Sequence, residues 1–399
     1  MPPNRRAPPF PRDYLFRHNP AIAQTPARGS PAYTPSMNPR FLTAAGLVVL
    51  LSACATVPRE TTSPDVAAPT PVTVVEAYVS AEAPAEELDS LATWPTEDGK
   101  TWLIASGKSS HRLVVFDADN GEQLRTFGGE GKGPGEFKRP NGLAVHGDQV
   151  FVVERDNHRV QLLSLPDFKV VGTFGEKELR SPYGIWLHEA EPGELSVYVT
   201  DSFQYGKKFD ELPPFNELDQ RVRRYRVSFD QDGAMRAQYA GSFGDTREDS
   251  ALRMVESIAG DPDNDRMLIA DEDRRHLSTL REYSFSGRYT GRTLPQDAFG
   301  AEAEGVALWT CPDGSGYWIA VDQLAPLTIF HLFDRVTLQP RGSFQGATTA
   351  RTDGVALHAA ASAGFPGGAL FAVHDDKSIA AFDLRDVARS LGLKQGCTE

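Results

Sequence analysis

Short apolar runs recur along the chain from about residue 88 to its end, and each run is bounded by polar or turn-forming residues. Each copy of the pattern contains a strand with a small residue in it, a turn, and a second apolar strand that ends near an acidic residue. A third strand then ends at Phe or Tyr before a polar residue. Runs of β-branched and aromatic residues bounded by Gly, Pro, Asn and Asp predict β-strands. The pattern therefore predicts a repeated unit of short strands.

The unit occurs six times, at a spacing of roughly 40 to 50 residues, which is typical of a four-stranded propeller blade. One copy is stretched by a polar insertion, and a helical pattern is limited to a turn or two near residues 384–393. The predicted fold class is all-β, a six-bladed β-propeller over residues 87–399. The first strands of the six copies contain LATW (91–94), GLAV (142–145), YGIW (183–186), ESIA (256–259), EGVAL (304–308) and DGVAL (353–357).

The amino-terminal segment lacks this pattern and divides into three parts. Residues 1–36 are rich in Pro and Arg, and we expect a disordered upstream extension. Residues 37–54 have the layout of a secretory signal, with an apolar run that is short for a membrane span and an ending, LSAC, that resembles the bacterial lipobox. Residues 55–86 are rich in Pro, Thr and Ala, which predicts a flexible linker.

The lipobox resemblance implies that Cys54 is lipidated and that the protein is held at the bacterial cell envelope, on the periplasmic or outer-membrane face. The alternative is a plain membrane-anchoring helix. An exported compartment permits disulfides, so we expect Cys311 and Cys397 to pair and fasten the carboxyl-terminal tail. Two free thiols remain the alternative.

Composition restricts the classes of partner. The 399 residues include 41 Lys and Arg against 54 Asp and Glu, a net charge of −13. Nucleic acids are bound mainly through positive charge, so we expect no nucleic-acid partner. We also expect the protein to be a monomer. The His residues show no paired spacing for zinc, and no G-x-S-x-G motif of serine hydrolases occurs.

The second copy, FGGEGKGPGEFKRPNGLAV followed by VFVVERDNHRVQLL, resembles the NHL repeat, which alone implies a binding propeller. The later copies resemble the beta-propeller phytases, calcium-dependent enzymes that hydrolyse phosphate from myo-inositol hexakisphosphate. The similarity covers most of residues 88–388. The matching segments are VESIAGDPDNDRMLIADEDR (255–274), EAEGVALW (302–309), DGSGYWIAVDQ (313–323), FHLFDR (330–335), TDGVAL (352–357) and FPGGALFAVHDD (365–376).

The phytase resemblance implies a calcium site at one end of the central channel, because acidic residues of several inner strands hold Ca²⁺ there in that family. It also implies that Lys108 and Arg155 bind substrate phosphate and take part in catalysis with Glu256 and Glu304, and that Tyr183 contacts substrate. The implied metal ligands are Asp89, Glu256, Glu272, Glu302, Glu304, Gln323 and Asp353.

Two family signatures are degraded. The first-blade signature Asp-Ala-Asp-Asp-Pro-Ala-φ-Trp, in which φ is apolar, reads ELDSLATW (87–94), so Asp89 alone is clearly retained. The second-blade signature Asn-Asn-Val-Asp-φ-Arg reads PNGLAV (140–145), without its Asp and Arg. We therefore expect fewer bound calcium ions than in the family.

Two functions follow from these patterns. The first is a phytase-like, calcium-dependent hydrolase of phosphate monoesters, such as myo-inositol hexakisphosphate. The alternative is a non-catalytic, NHL-like propeller that binds a ligand or a protein at the cell envelope. In that second case residues such as Asp353 serve as turn formers, and Lys108 and Arg155 are solvated surface residues.

Overall fold

The computed structural model describes residues 70–398 of the chain. The predicted extension (1–36), the signal with Cys54 (37–54) and the first part of the predicted linker lie outside the described residues. Two short strands, β1 (Val72–Thr73) and β2 (Tyr78–Val79), precede the repeats. Within residues 70–398, no helix is both long and apolar enough to cross a bilayer.

Six sheets follow, in which the strands of each repeat pair antiparallel in chain order, and this confirms the predicted six-bladed β-propeller. Blade one contains β3 (Leu88–Pro95), β4 (Thr101–Gly107), β5 (Arg112–Asp117) and β6 (Gln123–Gly128). Blade two contains β7 (Pro140–His146), β8 (Gln149–Glu154), β9 (Arg159–Ser164) and β10 (Lys169–Phe174). Blade three contains β11 (Pro182–Glu191), β12 (Glu194–Asp201), β13 (Val222–Phe229) and β14 (Met235–Phe243).

The remaining blades repeat this order. Blade four contains β15 (Val255–Asp261), β16 (Arg266–Asp271), β17 (Thr279–Tyr283) and β18 (Tyr289–Thr293). Blade five contains β19 (Ala303–Thr310), β20 (Gly316–Asp322), β21 (Ile329–Asp334) and β22 (Pro340–Gln345). Blade six contains β23 (Val355–His358), β24 (Ala369–His374) and β25 (Ser378–Asp383), and helix α1 (Leu384–Leu391) follows it.

The first strand of each blade lies next to the first strand of the following blade, and β23 lies next to β3. The six first strands therefore form a closed ring around a central channel. Apolar side chains of each blade pack against those of its neighbours in the cores between the sheets. Ring closure leaves no long sheet edge open along the channel, which is how propellers protect their strands.

Strands before the repeats pair with the propeller, so the predicted boundary between the linker (55–86) and the domain (87–399) is placed too far along the chain. Strand β2 pairs with β25 and supplies the fourth strand of blade six, while β1 pairs with β22 of blade five. We call residues 70–86 the strap. Its composition predicts a linker, but Val74 is buried against the blades and the alternate residues around it are half-buried. Pairing with strands distant in sequence overrides that local composition.

Four second strands end in a buried acidic residue that has a structural role. Their carboxylates accept hydrogen bonds from backbone N–H groups of the loop that enters the same blade, and each lies near a basic residue of the third strand. The four acids are Glu154, Asp201, Asp271 and Asp322, near Arg159, Arg223, Arg281 and His331. These strand-end acids explain why the repeat contains an acidic residue at this point.

The carboxyl-terminal tail is fastened to blade five. Cys311 and Cys397 are joined as a disulfide, and Trp309 Nε1 donates a hydrogen bond to the backbone oxygen of Cys397 at 3.3 Å. Helix α1 lies where the sequence places a short helical pattern, and Asp383 caps it by accepting from the backbone N–H of Arg385. The polar insertion of the repeat falls between β12 and β13 and contains a 3₁₀ helix, Phe215–Gln220.

Candidate metal site at the channel mouth

One residue from each blade lies at an equivalent place near the start of its first strand. We call this set the mouth ring, and it lies at the end of the channel where the first strands begin. Its members are Asp89, Asn141, Tyr183, Glu256, Glu304 and Asp353. Tyr183 Oη donates to Asp89 Oδ2 at 3.4 Å, although the two residues belong to blades one and three. The side chains of the ring therefore meet inside the channel.

A register shift positions these side chains. In blades one to five, the pairing between the first two strands skips two residues, and the mouth-ring residue is the first of those two. A β-bulge bends its strand and changes the direction of a side chain, and bulges are common beside functional sites. The repeat thus aims one residue per blade at the channel axis.

Glycine follows four of the six mouth-ring residues for a steric reason. A Cβ atom on Gly354 would clash with the carbonyl oxygen of Asp89, and one on Gly184 would clash with the carbonyl oxygen of Glu256. The backbone N–H of Gly354 donates to the oxygen of Asp89 at 3.1 Å. Adjacent first strands therefore touch through their backbones at this level, which narrows the channel.

A second set of residues follows the second strand of each blade, and we call it the outer ring. The backbone N–H of Lys108, Arg155, Glu272 and Gln323 donates in each case to the carbonyl oxygen two residues before the mouth-ring residue of the same blade. Four of the predicted site residues are thus equivalent by position. Their side chains, however, have different partners.

Glu256, Glu272 and Glu304 form a carboxylate cluster, which we call the triad. One carboxylate oxygen from each lies within 4.8 Å of the other two. Within residues 70–398, no Lys or Arg side chain forms an ion pair with any of them. Glu272 Oε1 is buried and accepts no hydrogen bond. Buried carboxylate oxygens without donors are costly unless a proton or a cation compensates them.

On the opposite side of the mouth ring, the positive charge comes from a side chain of the protein itself. Lys108 Nζ donates to Asp353 Oδ2 at 2.9 Å and lies 3.5 Å from Asp89 Oδ2. Asn141 Nδ2 also donates to Asp89 Oδ2, at 2.7 Å, and Gln323 Nε2 donates to Asp353 Oδ1. The hydrogen bonds that the Asp353 carboxylate accepts come from side chains, which differs from the turn-forming role considered above.

Burial and mutual repulsion shift the pKa values of the acids. Burial raises the pKa of Glu256 to about 8, and burial together with their carboxylate neighbours raises the pKa values of Glu272 and Glu304 well above 4.5. Burial also raises the pKa of Asp89 to about 6, although Lys108 opposes the shift. Without a cation, burial and the neighbouring carboxylates therefore favour the protonated forms of these acids.

Two predicted site residues lie apart from these clusters. Glu302 pairs with Arg274 at 3.6 Å, and Arg155 donates to Asp156 at 2.8 Å. Three residues that the sequence analysis did not select lie beside the mouth ring or belong to it: Asn141, Asp376 and Arg139. The repeat pattern could have indicated Asn141, because it precedes Gly142 as Glu304 precedes Gly305.

The donor set of the triad fits Ca²⁺. Three carboxylates supply hard oxygen ligands, and the unpaired Oε1 of Glu272 is available to a cation. The channel beyond the ring contains a cavity of about 520 Å³, lined by the residues that follow the mouth ring, such as Leu143, Ile185 and Val306. The cavity therefore adjoins the mouth ring through the residues that follow it in the first strands.

No protein-family model matches this chain, and no curated protein matches it. Among solved structures, the Kuenenia stuttgartiensis hydrazine synthase is similar at 12% sequence identity and a TM-score of 0.42, over 79% of this chain and 82% of that chain. A nidogen/laminin complex is similar at 14% identity and a TM-score of 0.45, over 68% of this chain and 85% of that chain. Neither similarity contributes to an assignment of function.

Proposed function

We propose that the protein is a calcium-dependent hydrolase of phosphate monoesters, resembling the beta-propeller phytases, with its site at the channel mouth. The observation that supports this most is the triad, in which three carboxylates from two blades converge within 4.8 Å and one buried oxygen lacks a donor. The second support is the adjacent ammonium group of Lys108. Cations of both kinds favour an anionic ligand at this end of the channel.

In this proposal Glu256, Glu272 and Glu304 hold the cation. When bound, Ca²⁺ supplies charge neutralisation for the phosphoryl oxygens and activation of the attacking water. One oxygen of each carboxylate already lies within 4.8 Å of the other two, so little reorganisation is required on binding. Their retained protons must leave when the cation enters, which makes binding depend on pH.

Lys108 and Tyr183 serve the substrate. Lys108 Nζ donates to Asp353 and also lies near Asp89 and Glu87, so one of these carboxylates would have to give way to a phosphoryl oxygen. Tyr183 lies half-buried in the mouth ring, where its hydroxyl group can contact the ester. Arg155 would have to leave Asp156 to reach the phosphate, and its half-exposed position permits that movement.

A second candidate is a non-catalytic, NHL-like propeller that binds a ligand or a protein partner at the cell envelope. The pairing of Arg155 with Asp156, and of Lys108 with Asp353, favours this alternative, because both predicted phosphate-binding cations already have partners. The two candidates can share the cation site, and they differ in whether a phosphate ester is hydrolysed there.

Phosphate release distinguishes the two candidates. Purified protein is incubated with phytate or p-nitrophenyl phosphate, with Ca²⁺ or with a chelator. The hydrolase proposal predicts release in Ca²⁺ that the chelator abolishes and that Glu304→Gln abolishes as well. Calcium binding without release from either ester would support the non-catalytic candidate instead.

A further inference from the structure

The mouth ring has two halves of different chemistry. On the side of blades four and five, the triad brings together carboxylates without an ion-paired Lys or Arg among the described residues. On the side of blades six and one, Asp353 and Asp89 face each other across an ammonium group. Both halves concentrate negative charge, but only one of them has a protein cation.

The ammonium group of Lys108 lies among several carboxylates, which is the position that a bound metal cation would occupy. Its Nζ lies 2.9 Å from Asp353 Oδ2, 3.5 Å from Asp89 Oδ2 and 3.9 Å from Glu87 Oε1, so carboxylates of two blades surround it. Lys108 is 6% exposed and Asp89 is 1% exposed. Bulk water therefore screens these charges poorly, so each charge is stabilised mainly by its neighbours of opposite sign.

This half also contains an unused oxygen ligand. Asn141 is fully buried, its Nδ2 donates to Asp89, and its Oδ1 accepts no hydrogen bond. Asp376 lies beside Asp353 on the other side. If the ammonium group were removed, the buried Asp89 and the partly exposed Asp353 would be neighbouring like charges that have lost their ion-pair partner, with further oxygen atoms beside them. Such a group must take up protons or a cation.

We infer that the Lys108 ammonium is a built-in cation that occupies one half of the mouth ring, so that the protein binds a single divalent cation, at the triad. The inference rests on the metal site of the proposed function. It deepens that proposal in two ways. The main role of Lys108 becomes the positioning of Asp89 and Asp353, and Lys108 becomes the residue that determines how many metal ions bind. Removing its charge should open a second calcium site formed by those two carboxylates.

The test is the number of calcium ions bound per chain, measured by isothermal titration calorimetry on metal-stripped protein. We expect one ion for the wild type and two for Lys108→Met, which keeps the length of the side chain and removes its charge. Lys108→Arg keeps the charge and should bind one. Arg155→Gln changes the equivalent outer-ring position of blade two and should also bind one.

The outcomes separate the two claims. One ion in both the wild type and Lys108→Met, with unchanged affinity, would overturn the inference and leave the triad site standing. No ion in the wild type and one in Lys108→Met would contradict the proposed metal site and support the role of Lys108. Two ions in the wild type would overturn the inference.

A second variant keeps the inference testable if Lys108→Met does not fold without calcium. Asp353→Asn leaves the triad intact and removes one carboxylate from the half occupied by Lys108. We expect it to bind one ion with an affinity within about threefold of the wild type. Loss of calcium binding in Asp353→Asn, with the far-UV spectrum of the fold retained, would show that Asp353 is a calcium ligand. That result would overturn the inference that calcium binds at the triad alone.

Discussion

Glu304 and Glu302 are separated by one residue, yet they lie in different environments. Glu304 is buried in the triad, whereas Glu302 precedes β19 and pairs with the exposed Arg274. The bulge at the start of β19 turns the Glu304 side chain toward the channel. This pair allows a matched comparison of a proposed ligand with an acidic residue of the same strand region.

Replacement of Glu304 by Gln keeps the size of the side chain and removes one negative ligand from the triad. We expect the affinity for Ca²⁺ to fall about tenfold or more, because Ca²⁺ depends on charged oxygen ligands. Glu302→Gln should bind Ca²⁺ as the wild type does. Titration calorimetry measures both, and equal affinities for wild type and Glu304→Gln would remove Glu304 from the site.

The triad also predicts how pH affects the metal-free protein. The pKa of folded Glu256 is raised to about 8 by burial, above its ordinary value of 4.5. Below the ordinary value, both folded and unfolded states hold the proton, and the full stability is present. As pH rises toward 8, the unfolded state releases its proton first, so stability is lost.

We therefore expect the free energy of unfolding in chelator to decrease between pH 5 and pH 8, as measured by urea denaturation. Glu256→Gln does not titrate and should show a shallower decrease. A stability that rises over this interval in the wild type, or an equal slope in the variant, would contradict the raised pKa.

The phytase resemblance made most of the mouth ring predictable. All six members precede a small residue at the same place in the repeat, and the resemblance implied a role for five of them, whereas Asn141 lies in the degraded second-blade signature and was not selected. The pairing of Lys108 with Asp353 joins residues 245 positions apart. Local patterns contain no information about such a contact, since ring closure alone creates it.

At the scale of elements, the strap connects the start of the domain to its last two blades. Glu76 lies between β1 and β2, and its carboxylate accepts hydrogen bonds from the backbone N–H groups of Ala347, Thr348 and Thr349 at 2.8 to 3.0 Å. That turn leads from blade five into Asp353. Composition predicted a linker here because two-residue strands leave almost no periodic pattern.

Replacement of Glu76 by Ala should lower the free energy of unfolding by about 1–3 kcal/mol, because several backbone donors lose a charged acceptor. Val75→Ala changes a neighbouring residue that is 68% exposed and should have little effect. Thermal or urea unfolding followed by circular dichroism measures both. Equal stability of Glu76→Ala and Val75→Ala would show that the strap does not hold the turn.

At the scale of the whole molecule, charge and location bear on the function. A net charge of −13 opposes the approach of a polyanionic ester, so the proposed hydrolase would need its bound cation and Lys108 to reverse the potential at the channel mouth. The sequence predicted the number of blades because each blade repeats one pattern. It could not predict that the strap completes the sixth blade, because that pairing joins the two ends of the domain.

The proposed lipid anchor gives a prediction for the full chain. Cys54→Ser removes the residue that resembles the lipobox cysteine, and we expect the variant to remain unprocessed or to be released as a soluble form. Fractionation of cells into membrane and soluble material, with detection by immunoblot, measures the distribution. Unchanged processing and membrane partitioning would show that another feature retains the protein.

The central claim is that the triad holds a calcium ion, and a crystal structure of the full propeller grown with Ca²⁺ tests it most directly. We expect an ion bonded to carboxylate oxygens of Glu256, Glu272 and Glu304 at about 2.3–2.6 Å, with Lys108 still between Asp89 and Asp353. An ion bound elsewhere in the channel, or an empty triad at a Ca²⁺ concentration that saturates binding in solution, would contradict the account.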